Sequence, residues 1–105
     1  MRVYISGPIT GVDDYMENFN KAEKYLTSLG YDVINPAKVD AVLPEMSYEE
    51  YLNIDLYLLS QCKAIYLLDG WNRSNGARAE MNDALMMGID IYLETEEMPS
   101  SSVLK

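Results

Sequence analysis

A short, almost wholly apolar run, Ala64-Ile65-Tyr66-Leu67-Leu68, passes through Asp69-Gly70-Trp71 into a small-residue helix start, Ser74-Asn75-Gly76-Ala77-Arg78-Ala79-Glu80. A run apolar at every position is the signature of a strand buried on both faces, which is the habit of parallel sheets. Such a strand needs helices above and below it, so the chain is committed to an α/β layer system. The helix pattern continues to Met87, and Gly88 supplies its stop. Its first turn offers free backbone N–H groups beside a carboxylate one turn in, an arrangement suited to a phosphate or a sugar. Gly76 and Glu80 share a helix face, so Gly76 leaves room for a ligand within reach of Glu80. Ala77, Met81, Ala84, Leu85 and Gly88 form the adjoining apolar face, expected to pack on the sheet with Glu80 on its flank. The competing reading makes Glu80 one more solvated helix carboxylate.

The remaining chain fits the same scheme. Arg2 to Ser6 has strand character and ends in the loop Gly7-Pro8-Ile9-Thr10-Gly11. That loop is neither a GxGxxG nor a Walker sequence; it reads as amides turned into a crevice or as a tight structural turn. Phe19, Ala22, Tyr25, Leu26 and Leu29 recur at helical spacing from Tyr15 to Leu29, with Asp13 or Asp14 as cap and Gly30 as stop. Tyr31 to Asn35 predicts a second strand, and a strand, helix and strand of this length imply a right-handed parallel crossover. Ala37 to Met46 lacks a firm period and contains Pro44, so it reads as a connection on a site rim with room for one helical turn.

Ser47 and Glu50 make a capping box, followed by Tyr48, Tyr51, Leu52, Asp55, Leu58, Leu59 and Cys62 at helical spacing. Asp55 therefore lies inside an apolar stripe, either desolvated for a purpose or at a partly exposed edge. Asp69 stands at the carboxyl end of the most apolar strand, where α/β sheets bind ligands. Trp71, just beyond, is placed to stack on a base or to pack under its loop. Ile89 to Leu93 predicts a fourth strand, which closes a domain over residues 1–94. The serine-containing segment 95–105 reads as a tail that frays.

With 105 residues, one layer system is the most the chain can build. The net charge of −9 leaves no cationic stripe for a nucleic-acid polymer, although one phosphate can still be held by amides and a single arginine. Histidine is absent, which removes Ser-His-Asp chemistry and the usual zinc sites and leaves carboxylates, tyrosines and hydroxyls. Cys62 is alone and reads as a buried small hydrophobe. The lone thiol, the strand pattern that starts at Met1-Arg2 and the lack of a long apolar run lead us to expect a cytoplasmic protein without signal peptide or membrane span.

Taken together, Tyr4-Ile5-Ser6-Gly7-Pro8-Ile9-Thr10-Gly11, Gly30-Tyr31-Asp32-Val33-Ile34-Asn35-Pro36, Asp55 ahead of Cys62, and Ser74-Asn75-Gly76 with Glu80 resemble the nucleoside 2-deoxyribosyltransferase family. That family includes the 2'-deoxynucleoside 5'-monophosphate N-hydrolases and small phage and bacterial members, and the likeness runs over roughly residues 3–93. The resemblance implies that Glu80 is the nucleophile at the anomeric carbon, that Tyr4 orients it, and that Asp55 lies near base and sugar. It also implies that Gly7 to Gly11 line the sugar and phosphate pocket. An oxocarbenium-like transition state needs a carboxylate beside the anomeric carbon and an acid for the leaving base, for which Asp55 is the candidate. Ser74 stands where the transferases carry an acidic residue, and there it resembles the hydrolases, which use it on the 5'-phosphate. Thr10 replaces the arginine of some hydrolases; Arg73 and Arg78 are either substitutes or solvated surface charges.

From elements and resemblance together we expect a three-layer α/β/α domain, flavodoxin-like or Rossmann-like. Its parallel sheet of four to five strands runs in the order 2-1-3-4, with the site across the ends of the first and third strands. The expected activity is cleavage or transfer of the N-glycosidic bond of a 2'-deoxynucleoside or its 5'-monophosphate, without metal or organic cofactor. The competing class is a non-catalytic nucleotide-binding module using the same pocket. Tyr48, Tyr51, Tyr57, Leu58 and Met86-Met87 exceed what one face against a small sheet needs, so a homo-oligomer is expected; singly half-exposed residues are the alternative.

Overall fold

The structure, a computed structural model, describes residues 1–102. Among the described residues there are four strands and four α-helices, two of the helices falling between the second and third strands. They are β1 (Arg2–Ser6), α1 (Tyr15–Ser28), β2 (Asp32–Ile34), α2 (Pro36–Ala41), α3 (Tyr48–Ser60), β3 (Ala64–Leu67), α4 (Asn75–Met87) and β4 (Asp90–Leu93). All pairings are parallel and the order is β2-β1-β3-β4, as the sequence predicts for a flavodoxin-like fold. The connection leaving β1 runs toward one edge and that leaving β3 toward the other. The crevice between their carboxyl ends is therefore the topological switch point.

Alternation along β1 assigns its residues to opposite layers. Val3 and Ile5 face α1 and pack with Phe19, Ala22 and Leu26, while Tyr4 faces α3 and α4 with Leu59, Ile65 and Ala84. Local chemistry sets the helix ends. The capping box is present at α3, where Ser47 Oγ accepts from the Glu50 N–H at 3.1 Å and Glu50 Oε1 from the Ser47 N–H at 2.9 Å. Asn35 caps α2, and Ser74 caps α4 by accepting from the Ala77 N–H at 3.2 Å. Gly88 ends α4 at φ 70°, a conformation that disfavours any side chain. Cys62 is buried, with its thiol pKa pushed up to about 11 by desolvation. Among the described residues no helix is long and apolar enough to cross a membrane.

Several local expectations need correction. Asp14 occupies the cap position of α1 but makes no side-chain capping bond. The connection after β2 holds a six-residue helix, α2, because Pro36 at its first turn and Asn35 before it pre-organise a nucleus. On α4, Leu85 is exposed, and the buried positions are Ala77, Glu80 and Ala84. The segment after β4 does not fray through residue 102. Met98 is 3% exposed in the α1-side core, its N–H donates to the Tyr25 hydroxyl, and Tyr31 donates to the Pro99 carbonyl at 2.6 Å. Residues 103–105 of the expected tail lie outside the described residues.

Candidate active site

Tyr4 and Ser6 are two apart on β1 and so point to the same layer, where both meet Glu80 from the second turn of α4. Ser6 Oγ donates to Glu80 Oε1 at 2.6 Å, and the Tyr4 hydroxyl donates to Oε2. Each carboxylate oxygen thus has its own donor, which fixes the rotamer of a side chain only 6% exposed. Desolvation nevertheless wins over the two hydrogen bonds and lifts the Glu80 pKa to about 7, with the Asp40 charge adding to the rise. Burial first, and then Glu80 itself, push the Tyr4 phenol well above its usual range, so it remains a donor.

A cavity of about 770 Å3 opens over this carboxylate. Its floor is the loop Gly7, Pro8, Ile9 and Thr10; Ser74, Asn75 and Gly76 form one wall, and α2 and α3 form the other. A side chain at position 7 is disfavoured, since a Cβ there would lie 2.8 Å from the Leu68 side chain just beyond β3, and one of the two would have to shift. Above Gly76 a Cβ would meet only the Tyr48 side chain, its hydroxyl at 3.5 Å and its ring at 4.0 Å, so the glycine leaves open the space between α4 and Tyr48. Ser74 uses a lone pair on its capping bond and keeps its hydroxyl proton for a ligand. Arg73 lines the same end, whereas Arg78 donates to Asn75.

Asp55 reaches the cavity from α3 and Asp40 from α2. Asp55 is 8% exposed, and the Oδ1 atoms of both residues are buried without a donor from the protein. The two carboxyls stand within hydrogen-bonding reach of each other. Burial, and then the Asp40 carboxyl, raise Asp55 far above the carboxylate range. Burial raises Asp40 as well, while the bond from Asp55 pulls it back. Both shifts disfavour two charges side by side, so the pair holds protons more tightly than ordinary carboxyls do.

Three expected residues lie elsewhere. Asp69 is exposed and turned to the β4 edge, where its N–H donates to Glu94 Oε1 at 2.8 Å. Trp71 packs against the α4-side core, and Gly11 lies beyond the cavity lining. The cavity takes in the loop after β1 but not Asp69, and the chain turns at Gly70, φ 88°, before it reaches Arg73 and Ser74 on the lining. Sequence reasoning assigned no role to Ser6 or Asp40. The two-residue spacing from Tyr4 is the signal that identifies Ser6, whereas Asp40 sits on a helix too short to show a period. Among the described residues no group of three or more His, Cys, Asp or Glu side chains converges to hold a metal ion.

Fold and site geometry define a doubly wound α/β protein with a buried carboxylate at the switch point. The fold is shared with a 2-deoxyribosyltransferase from the psychrotolerant bacterium Bacillus psychrosaccharolyticus, described as a biocatalyst for nucleoside synthesis. That structure is 22% identical, matches with a TM-score of 0.69, and is covered over 71% of its length by 89% of this chain. No curated protein matches the sequence. Residues 1–93 match the family described as Domain of unknown function (DUF4406), and the chain belongs to that family.

Proposed function

We propose that the protein cleaves or transfers the N-glycosidic bond of a 2'-deoxynucleoside or its 5'-monophosphate, with Glu80 as nucleophile. The observation that carries this reading is the buried Glu80 carboxylate, held by Tyr4 and Ser6 beneath a cavity that also receives Asp55. In this mechanism a Glu80 oxygen attacks the anomeric carbon as the bond to the base nitrogen breaks, and the bonding pair leaves with the base. Asp55 protonates the departing base. Water, or a second base, then attacks the glycosyl ester and restores the Glu80 carboxylate.

The hydroxyl of Ser74, the amides at Asn75 and Gly76, and Arg73 form the phosphate end, which favours a 5'-monophosphate over a free nucleoside. Oligomer formation is part of the same proposal. Tyr57, Leu85 and Met86 on α3 and α4 are 65%, 56% and 87% exposed, which supports a second copy seated there. Tyr51 does not belong to that surplus, since its hydroxyl donates to the Pro44 carbonyl and accepts from the Met46 N–H.

Chromatography for free base after incubation with deoxynucleosides and their monophosphates tests the activity. Base release that falls by at least about a thousandfold in Glu80→Ala is expected. No release from any substrate by the wild-type protein, with nucleotide binding retained, would instead establish a binding module.

A further inference from the structure

Among the described residues Arg73 is a cation without a counter-ion. Acidic residues outnumber basic ones by 17 to 8, yet the ion pair those described residues form joins Lys38 to Glu23. Arg2 and Arg78 each donate to a protein oxygen, and the Arg73 guanidinium does not. Although exposed, Arg73 does not reach into water. It folds back over Gly70, where a Cβ would lie 3.1 Å from the Arg73 Nη2 and 3.6 Å from the Pro8 ring, so the guanidinium stands where the loops after β1 and β3 meet. Pro8 and Arg73 both line the cavity. A planar charged fork held there with its donors free suits an anion inside.

The path of that loop is tied from the far edge of the sheet. Trp71 N–H donates to the Leu68 carbonyl at 3.1 Å and Arg73 N–H to the Gly70 carbonyl at 3.0 Å, so the turn closes largely on itself. The Asp69 N–H instead donates to Glu94 Oε1 at 2.8 Å. Glu94 is itself fixed, because its own N–H extends the pairing of β3 with β4 by donating to the Leu67 carbonyl at 2.8 Å. Gly70 makes such a tie necessary. Its φ of 88° and missing side chain admit the guanidinium, but a glycine left to itself takes many other conformations. We propose that Glu94 is a positioning residue for Arg73, holding the loop after β3 so that the guanidinium clamps the 5'-phosphate of a nucleotide ligand. Glu94 lies off the cavity lining and acts through Asp69 and Gly70. The inference rests on the nucleotide reading of the cavity, but not on turnover.

Calorimetric titration of the full chain with each common 2'-deoxynucleoside and its 5'-monophosphate tests the clamp without requiring catalysis. The monophosphate should bind at least about tenfold more tightly than its nucleoside, and Arg73→Gln should remove most of that preference. Glu94→Ala should reduce it by about fivefold, the scale of one hydrogen bond, with nucleoside affinity unchanged. A carboxylate that acted only by its charge would give the opposite sign, since its removal would tighten the monophosphate. Glu94→Gln keeps an acceptor for the Asp69 N–H and loses the charge, so it should bind the monophosphate at least as tightly as the wild-type protein. An unchanged or stronger preference in Glu94→Ala, an equal loss for both ligands, or no rescue by Glu94→Gln overturns the positioning role. A wild-type protein that binds neither nucleosides nor monophosphates overturns the nucleotide reading itself. Nucleosides and monophosphates bound equally well would overturn the clamp alone.

Discussion

The two faces of the sheet are built from alternate residues of the same strands, yet they differ in what they bury. On the α1 face β1 contributes Val3 and Ile5 to an apolar cluster with Phe19, Leu26 and Met98, of which Phe19 also borders the cavity. On the opposite face the same strand contributes Tyr4 and Ser6, which meet a buried carboxylate. The first face gains from every apolar atom it removes from water, whereas the second carries a charge whose desolvation its hydrogen bonds only partly offset. Stability is therefore expected to reside with α1 and chemistry with α3 and α4.

Phe19→Ala tests the first half and should have the largest effect on folding. The ring is 1% exposed, and its removal should cost about 3–5 kcal/mol, read as a lower denaturant midpoint. On the opposite face Asp55→Asn should leave stability intact or raise it while lowering turnover by about a hundredfold, measured as base release. Should both substitutions cost similar stability, the division between the faces fails. Ser6→Ala is expected to act more weakly, by about tenfold on turnover, through Glu80. Activity in the wild-type protein should fall as pH drops through about 7, where Glu80 gains its proton. Because the Ser6 bond lowers the Glu80 pKa, its loss should move that limb to higher pH; an unmoved limb would detach Ser6 from Glu80. The smallest change in folding should come from Met86→Asp on the exposed part of α4, within about 0.5 kcal/mol for a surface site. Light scattering should nonetheless report a smaller assembly, and an unchanged mass would remove α4 from the oligomer proposal.

Legibility in the sequence followed element length and local chemistry. The run from Ser74 to Gly88 carries a cap, a helical period and a stop, so α4 could be bounded from sequence at Asn75 and Met87. Strand order came from the elements together with the family resemblance, since backbone chirality fixes the hand of a crossover but not the edge it runs to. Placement of Glu80 and Asp55 on half-apolar stripes was legible, but the depth of Glu80 was not, because burial depends on how closely α4 approaches β1. Asp40 escaped because α2 is six residues long, less than two turns. Asp69 lies off the cavity lining because its N–H is tied to Glu94 on the β4 side, and Trp71 takes the packing alternative that the sequence left open. The segment around Met98 was misjudged because composition counts its serines and cannot see one methionine find a core.

The most direct measurement takes Glu80→Gln and records base release and thermal unfolding on one preparation at pH 8. Folding raises the Glu80 pKa from the ordinary 4.5 to about 7, so the folded chain holds more protons within that window. Stability accordingly falls as pH rises through it, and the whole penalty is present at pH 8. Removing the charge should raise the unfolding free energy by about 1–3 kcal/mol, less than the full shift because an amide accepts fewer hydrogen bonds than a carboxylate. Glu80→Gln should melt at a higher temperature and lose nearly all base release. Retained base release, or a protein that melts earlier, would contradict Glu80 as a buried nucleophile.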